Sequence, residues 1–431
     1  MSDTPLPSWA PRQAAVLLAM LEATEEGVRK GQPADRVLHT LIAGTKKYGS
    51  RDRRLIRDTV FSWFRWHGAV GALPLAKGLC AAWALEQREW PPALQAMCRE
   101  LGLTPPDNSD SSLSLRDRKP SVEKAFDCEL PPVEEWLPVW WKEETEHLGP
   151  YEDRLNEHFQ RPPTWLRVDL NARELLHKPL LDDGAEWAGE SSPCAYAFEN
   201  AGKVNRWLQA QSEHLEIQDL SSQQVVRICD PAPGETWWDA CCGNGGKSLQ
   251  LLDQAERQID LTCTDRREEV LSELTRRGRR HGLAKVRRYA LNLLQKDLQL
   301  PQIEFNGILV DAPCTGTGTW SRNPDAPWRT EPPDIQQGKR RQGKLLSAVA
   351  PGLNSGGRLI YAVCSLCKSE TLDVVSEFLN NHPDYHLAPF DHPLTGNATD
   401  GTVSLLPKET RGDGMFVARF IKDGISTIPK P

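Results

Sequence analysis

The chain has 431 residues, 39% hydrophobic and 26% charged, which excludes global disorder and a single small module and leaves room for two or three domains with cores of their own. Its formal charge of -7 at pH 7 excludes a surface that attracts nucleic acid everywhere, so any such contact has to come from a local basic patch. No apolar run approaches the roughly 18 residues of a membrane span, and the opening MSDTPLPSWAPRQ lacks the blocks of a signal peptide, so the expectation is a cytoplasmic protein with no membrane partner.

In chain order, helical spacing comes first. Ala14, Leu17, Leu18 and Leu21, then Val37, Leu38, Leu41 and Ile42, then Ile56, Val60, Phe61 and Phe64 predict a helical bundle over residues 1–102. The stretch TPPDNSDSSLSLRDRKPS is rich in Pro, Ser and Asp and poor in apolar residues, which predicts a solvated linker over 103–121. Residues 122–211 mix Trp-rich helical stretches (Trp136, Trp140, Trp141) with PPTWLRVDLNARELL, a short strand running into a helix, and read as an α+β connector. From 212 to 424 the strands TWWDAC, IDLTCT, GILVDAP, RLIYAV and MFVARF alternate with helices, so an α/β domain with a largely parallel sheet covered on both faces is expected.

The segment TWWDACCGNGGKSLQLL reads as a strand, a glycine-rich turn and a helix start, where backbone N–H groups and a helix N-terminus can face a nucleotide-like cofactor. A phosphate-binding P-loop needs glycine where Cys241 stands, and Gly243, Gly245 and Gly246 do not give the dinucleotide fingerprint. The next strand ends at Asp265, placed to hold a ribose diol, which suits an adenosyl cofactor; the alternative is a tight turn and a helix cap.

Eleven cysteines in a chain with no export signal point to thiols rather than a disulfide framework. Cys314 in DAPCTGTG and Cys364 in AVCSLCKSE both follow strands, at the sheet edge where open α/β folds bind ligands. A thiolate there is a soft nucleophile, and Asp311, fixed by the Ala312-Pro313 turn, can manage substrate protons; ordinary buried cysteines are the alternative. Cys364 and Cys367 make a single CxxC without a second ligand pair, so no metal is expected.

On these motifs the chain resembles the Sun/Fmu (RsmB-like) family of S-adenosylmethionine-dependent RNA cytosine-C5 methyltransferases. The resemblance is carried by IQDLSSQQV, PGETWWDACCGNGGKS, VDAPCTGTGTWSRNPDAPWR, YAVCSLCKSE and DGMFVARF in one order. Upstream, RPPTWLRVDLNARELL resembles the segment preceding the family's catalytic domain, and ADRVLHTLIAGTKKYGSRDRRLIRDTVFSWFRWHG resembles its NusB-like helical domain. It implies a Rossmann-like class I methyltransferase domain preceded by an α+β connector and a NusB-like RNA-binding bundle. It further implies that Cys364 attacks C6 of the target cytosine, that Cys314 helps release the product, and that Asp311 with the Pro313 turn contacts the N3/N4 edge of a flipped base. The cofactor, S-adenosyl-L-methionine, would be held by Cys241, Cys242, Gly243, Asn244, Gly245 and Gly246, with Lys247 nearby, Asp265 on the ribose and Asp311 at the reacting end.

The chain departs from the family at several places. Cys242, Gly243 and Asn244 replace an Ala-Ala-Pro segment, Val270 a common arginine, Leu291 the adenine-contacting aspartate, for which Asn292 is the candidate substitute, and Val363 a threonine. Three basic groups are candidates for RNA: Arg266, Arg267, Arg276, Arg277, Arg279, Arg280, Lys285, Arg287 and Arg288; then Lys46, Lys47, Arg51, Arg53, Arg54 and Arg57; then Arg322, Lys339, Arg340 and Arg341. Ribosomal RNA is the expected partner of a monomeric enzyme. Transfer RNA, a non-catalytic ribosome-assembly factor with a drifted cofactor pocket, and a zinc or redox protein built on the CxxC are the competing readings.

Overall fold

The computed structural model describes residues 5–43, 48–106, 113–281, 286–295 and 303–424. The chain divides into two compact units, one of Met1–Gln160 with Trp320–Glu331, the other of Arg161–Thr319 with Pro332–Pro431.

The first unit is helical: α1 (Ala10–Arg29), α2 (Ala34–Ala43), α3 (Ser50–Val70), α4 (Leu75–Leu85), α5 (Pro92–Glu100), α6 (Leu115–Phe126), α7 (Val139–Glu144) and α8 (Tyr151–Phe159). The expected periodicity is what packs it: Ala14, Leu17 and Leu21 of α1, Leu38 and Ile42 of α2 and Ile56, Val60 and Phe64 of α3 are buried together. Two glycines permit close approaches. A Cβ on Gly68 would stand 2.1 Å from the Trp136 carbonyl oxygen, and one on Gly78 2.7 Å from the Trp63 ring.

The unit runs further than composition suggests. Within the expected linker 103–121, Ser114 caps α6 by accepting from the Asp117 N–H, and Leu115, Val122 and Phe126 enter the same core as α1 to α5. Residues 122–160 therefore belong to the helical unit rather than to a connector; Trp66, for instance, stacks on Phe159 with ring centroids 4.4 Å apart. Trp320–Glu331 is part of it too. Trp320 is fully buried edge-on to Trp140, Asp325 accepts from the Ala34 N–H at 3.0 Å, and the Trp328 indole N–H donates to the Phe64 carbonyl at 2.8 Å.

The second unit contains β1 (Thr164–Val168), α9 (Arg173–Asp182), β2 (Glu186–Trp187), β3 (Ala195–Phe198), α10 (Ala201–Ala210), β4 (Leu215–Ile217), α11 (Leu220–Cys229), β5 (Thr236–Asp239), α12 (Gly246–Gln254), β6 (Asp260–Asp265), α13 (Glu268–Arg280), β7 (Arg287–Ala290), β8 (Phe305–Asp311), α14 (Pro332–Val349), β9 (Leu353–Val363), α15 (Leu372–Asn381), β10 (Tyr385–Leu387), β11 (Thr402–Leu405), α16 (Pro407–Thr410) and β12 (Met415–Lys422). A small antiparallel sheet has the order β2-β3-β1-β4. The large sheet has the order β10-β12-β9-β8-β5-β6-β7, with β11 beside β12. Its centre, β9 to β7, is parallel, and MFVARF enters as the antiparallel β12.

From β5 the chain builds outward through β6 and β7, then returns to the other side of β5 with β8 and β9, so the direction of winding reverses between β5 and β8. Ligands of open α/β sheets bind beyond the carboxyl ends of strands at such a reversal. The centre is rigid because alternate residues fill opposite faces: Trp237 packs into one apolar cluster and Trp238 into the other, both fully buried. Trp237 sits in register with Gly307 of β8, where a Cβ would lie 2.4 Å from the indole. Among the described residues no single helix is long and apolar enough to cross a membrane.

Candidate active site

At the reversal, β5 ends at Asp239 and the chain turns through Cys241, Cys242, Gly243, Asn244 and Gly245 into α12, which starts at Gly246. Gly243 has φ +49° with open space where a Cβ would project; Gly245 has φ +83°, and a Cβ there would lie 2.2 Å from Leu274 Cδ1. The turn is pinned by the Cys242 N–H to the Thr264 carbonyl at 3.0 Å, the Gly245 N–H to the Cys242 carbonyl at 2.8 Å and the Gly243 N–H to Asp265 Oδ2 at 3.1 Å. Burial pushes the Cys241 thiol well up, and contact with Cys263 does the same to Cys242, so both are protonated wall groups. Asp239 accepts from the Ser248 hydroxyl at 2.6 Å, and burial pushes its carboxyl up to about 7.

Asp265 closes the neighbouring strand. Burial opposes its charge, but hydrogen bonds from Arg267 and two backbone N–H groups hold its carboxyl below the usual range, so it is ionised. Beyond β7, the Leu291 N–H donates to the Asp265 carbonyl at 3.0 Å, while Asn292 Oδ1 accepts from the Leu294 N–H at 3.2 Å and so caps its own turn.

Between β8 and β9 the thiols meet. Cys314 Sγ and Cys364 Sγ are 3.4 Å apart, held by backbone bonds that tie the two loops together: Ala312 N–H to the Ala362 carbonyl at 2.9 Å and Gly318 N–H to the Cys364 carbonyl at 3.0 Å. Contact with Cys364, reinforced by burial, pushes the Cys314 thiol well above its ordinary value, so Cys314 keeps a proton that it can share with Cys364. Asp311 Oδ2 accepts from Lys247 Nζ at 2.8 Å. Burial opposes the lysine charge, yet Asp311 more than offsets this and its pKa is raised.

Behind the pair stands a carboxylate that sequence reasoning missed. Glu370, fully buried, accepts from the Thr315 N–H at 3.1 Å, from the Thr315 hydroxyl, and from Gln342 Nε2 at 2.9 Å; the same amide donates to the Pro313 carbonyl at 3.2 Å. Gly338 of α14 admits it, since a Cβ there would lie 2.0 Å from Glu370 Oε1. Cys367 is fully buried, its thiol donating to Thr317 Oγ1 at 3.6 Å and its N–H to Ser365 Oγ at 3.2 Å, a packing role. Among the described residues no group of three or more His, Cys, Asp or Glu is arranged to hold a metal ion.

Residues 226–421, which include this whole constellation, match the family model "16S rRNA methyltransferase RsmB/F". Over that span the chain belongs to the RsmB/F methyltransferase family. It is 30% identical over 303 residues to ribosomal RNA small subunit methyltransferase B of Serratia proteamaculans, covering 66% of each chain, and 32% identical over 271 residues to that of Citrobacter koseri, covering 61% of this chain and 60% of the other. The chain spans between about half and two thirds of the length of the curated relatives it matches. In fold it is similar to the crystal structure of PH0851, with TM-score 0.72, 21% identity and coverage of 98% and 100%. It is also similar to NSun6 from Pyrococcus horikoshii with SFG, with TM-score 0.54, 16% identity and coverage of 66% and 97%.

In this RsmB/F-family chain several arginines of the basic run along α13 and β7 are ion-paired. Arg276 pairs with Glu273, Arg277 and Arg280 with Glu216, and Arg287 with Asp260. Arg51, Arg53, Arg54, Arg57 and Arg322 belong to the helical unit, and Lys339, Arg340 and Arg341 to the other. Lys46, Lys47 and Lys285 lie outside the described residues.

Proposed function

We propose that this chain is an S-adenosylmethionine-dependent RNA cytosine-C5 methyltransferase that acts on ribosomal RNA through two cysteines. The observation that carries the reading is the pair of sulfurs, 3.4 Å apart at the carboxyl ends of adjacent parallel strands, with the Lys247–Asp311 pair at the end of the same β8 strand. The rRNA substrate is favoured by the names of the relatives.

The residues present fit S-adenosylmethionine. The open space over Gly243 and the ionised Asp265 at the end of the next strand form a cradle for an adenosyl group without phosphate-binding features. Residues 241–247 and Asp265 would hold it; Arg267, half exposed, would turn aside to free the carboxylate for a ribose diol. Bound there, it supplies an electrophilic methyl group.

The protein's part is to make cytosine C5 nucleophilic. Cys364, its thiol proton released to solvent, would form the S–C6 bond as the thiolate, while the C5–C6 π pair moves onto C5. The Lys247–Asp311 pair would lie at the N3/N4 edge, where Asp311 accepts from the N4 amino group and the Lys247 ammonium offsets the negative charge that develops on the ring. After methylation, the C5 proton passes to Cys314 as the Cys314 thiol proton passes to the departing Cys364 sulfur, and with the S–C6 bond broken the C5–C6 double bond and the aromatic ring are restored. The helical unit, as a NusB-like bundle, would hold the RNA.

The test is transfer of labelled methyl to unmodified small-subunit ribosomal RNA, with transfer RNA alongside. Transfer to ribosomal RNA that is abolished in Cys364→Ala supports the reading. Equal transfer by Cys364→Ala overturns the mechanism, and transfer confined to transfer RNA overturns the substrate.

A further inference from the structure

The geometry points to Arg277 as a positioning residue for the cofactor turn: its guanidinium ties the Asn244 carbonyl to Glu216 of β4 and so adds a side-chain clamp to the backbone bonds that pin the turn at Cys242, Gly243 and Gly245. This rests on reading the turn as the cofactor cradle.

Three of the four residues Gly243–Gly246 are glycine, so ordering this stretch costs more conformational entropy than almost any other sequence would. The Asn244 side chain is exposed, and residues 243–246 bring no apolar side chain of their own. Helix α13 supplies the anchor. Leu274 fills the space beside Gly245, and Arg277, three residues on and therefore on the same helix face, donates through Nη1 to the Asn244 carbonyl. Its Nε and Nη2 meet the two oxygens of Glu216, Nε at 3.2 Å, in the fork-to-fork arrangement that fixes direction as well as distance.

The far end of the clamp is itself immobile. Glu216 is buried and also accepts from Arg280 at 2.8 Å and His281 Nε2 at 2.8 Å, while His281 Nδ1 reaches Asp169 Oδ2 at 2.7 Å. The small sheet thus gives the cradle a fixed point outside the parallel sheet. Lysine could not do this, because a single ammonium cannot present the fork to Glu216 and reach the carbonyl together. Arg280 shares Glu216 without a bond to the turn, and is the internal control.

The experiment compares full-length wild type, Arg277→Gln, Arg277→Lys and Arg280→Gln by calorimetric titration with S-adenosylmethionine, by steady-state kinetics, and by amide hydrogen exchange of residues 241–247 without ligand. One charge-assisted hydrogen bond is worth enough to weaken binding about tenfold (about 1.4 kcal/mol) in both Arg277 variants. The cofactor KM should rise in parallel, kcat at saturation should hold within about twofold, and exchange in the turn should quicken about tenfold. Arg280→Gln should stay within about twofold of wild type in cofactor affinity and in exchange of the turn. Arg277 variants that match Arg280→Gln in both affinity and turn exchange would overturn the clamp. Faster turn exchange in Arg277→Gln, in a wild type that binds no cofactor, would keep the clamp and overturn the reading of the turn as a cofactor site.

Discussion

Alanine at Gly243 and at Gly245 is the same change made two residues apart, and the structure assigns the two very different costs. Both glycines have positive φ, +49° and +83°, so each substitution pays the left-handed penalty of about 1–2 kcal/mol, reduced by about 0.4–1 kcal/mol because alanine is less free in the unfolded chain. At Gly243 nothing lies within 4 Å of the new methyl, and the net loss should be about 1 kcal/mol. At Gly245 the methyl would lie 2.2 Å from Leu274 Cδ1, 3.1 Å from its Cγ and 3.3 Å from its Cβ, so rotating the end of the leucine does not clear it. Leu274 is buried, and forcing it aside adds an overpacking term of about 1–3 kcal/mol, for a total of about 2–4 kcal/mol. Urea denaturation followed by hydrogen exchange of peptides from the sheet-containing unit reads the difference directly. A Gly243→Ala loss equal to or larger than that of Gly245→Ala would refute the packing argument.

Other consequences can be checked separately. For His281, burial opposes the charge, but Asp169 and Glu216 on its two nitrogens raise its pKa; the stability it contributes is fully present below the unfolded value near 6.5 and is lost as pH rises through the folded value. For Glu216, burial opposes the charge, but His281 and Arg277 hold it at about 2, so its contribution is lost as pH falls from about 4.5 toward about 2. Unfolding free energy measured from pH 5 to 9 should decline on the alkaline side in wild type and flatten there in His281→Gln. Glu370→Gln puts an amide against the Thr315 N–H and should cost about 1–3 kcal/mol and at least about tenfold in kcat, with cofactor affinity unchanged by calorimetry. Trp320→Ala should cost the helical unit about 3–5 kcal/mol, seen as loss of protease resistance in residues 10–159, although Trp320 closely follows Cys314 in sequence.

Much of the parallel sheet was legible because each buried strand is a short apolar run bounded by turn residues, and TWWDAC, IDLTCT, GILVDAP and RLIYAV all lie on or across observed strands. The helix faces of α1 to α3 were legible for the same reason of period. The boundary between the units was not: α6 lies in a polar, proline-bearing stretch and is held by a serine cap and three buried side chains, which composition averages away. The assignment of Trp320–Glu331 to the helical unit was illegible because it depends on partners such as Phe64 and Ala34, far away along the chain. At the site, the loops bearing Cys314 and Cys364 were readable from their place after strands. Glu370 and Gln342 were not, because their meeting depends on how α14 crosses the sheet and on the space that Gly338 leaves. The pairing within the arginine-rich stretch was illegible for a related reason, since the one carboxylate that pairs with both Arg277 and Arg280, Glu216, sits in a different sheet.

The division of labour between the two thiols is tested most directly by looking for the bond itself. Cys314→Ala, Cys364→Ala and the double variant would each be incubated with S-adenosylmethionine and unmodified small-subunit ribosomal RNA, then run on a denaturing gel. The account predicts a covalent protein–RNA adduct that accumulates only in Cys314→Ala, because Cys364 can still add to the base while release is impaired. An adduct in Cys364→Ala, or none in Cys314→Ala under conditions where wild type transfers methyl, would contradict it.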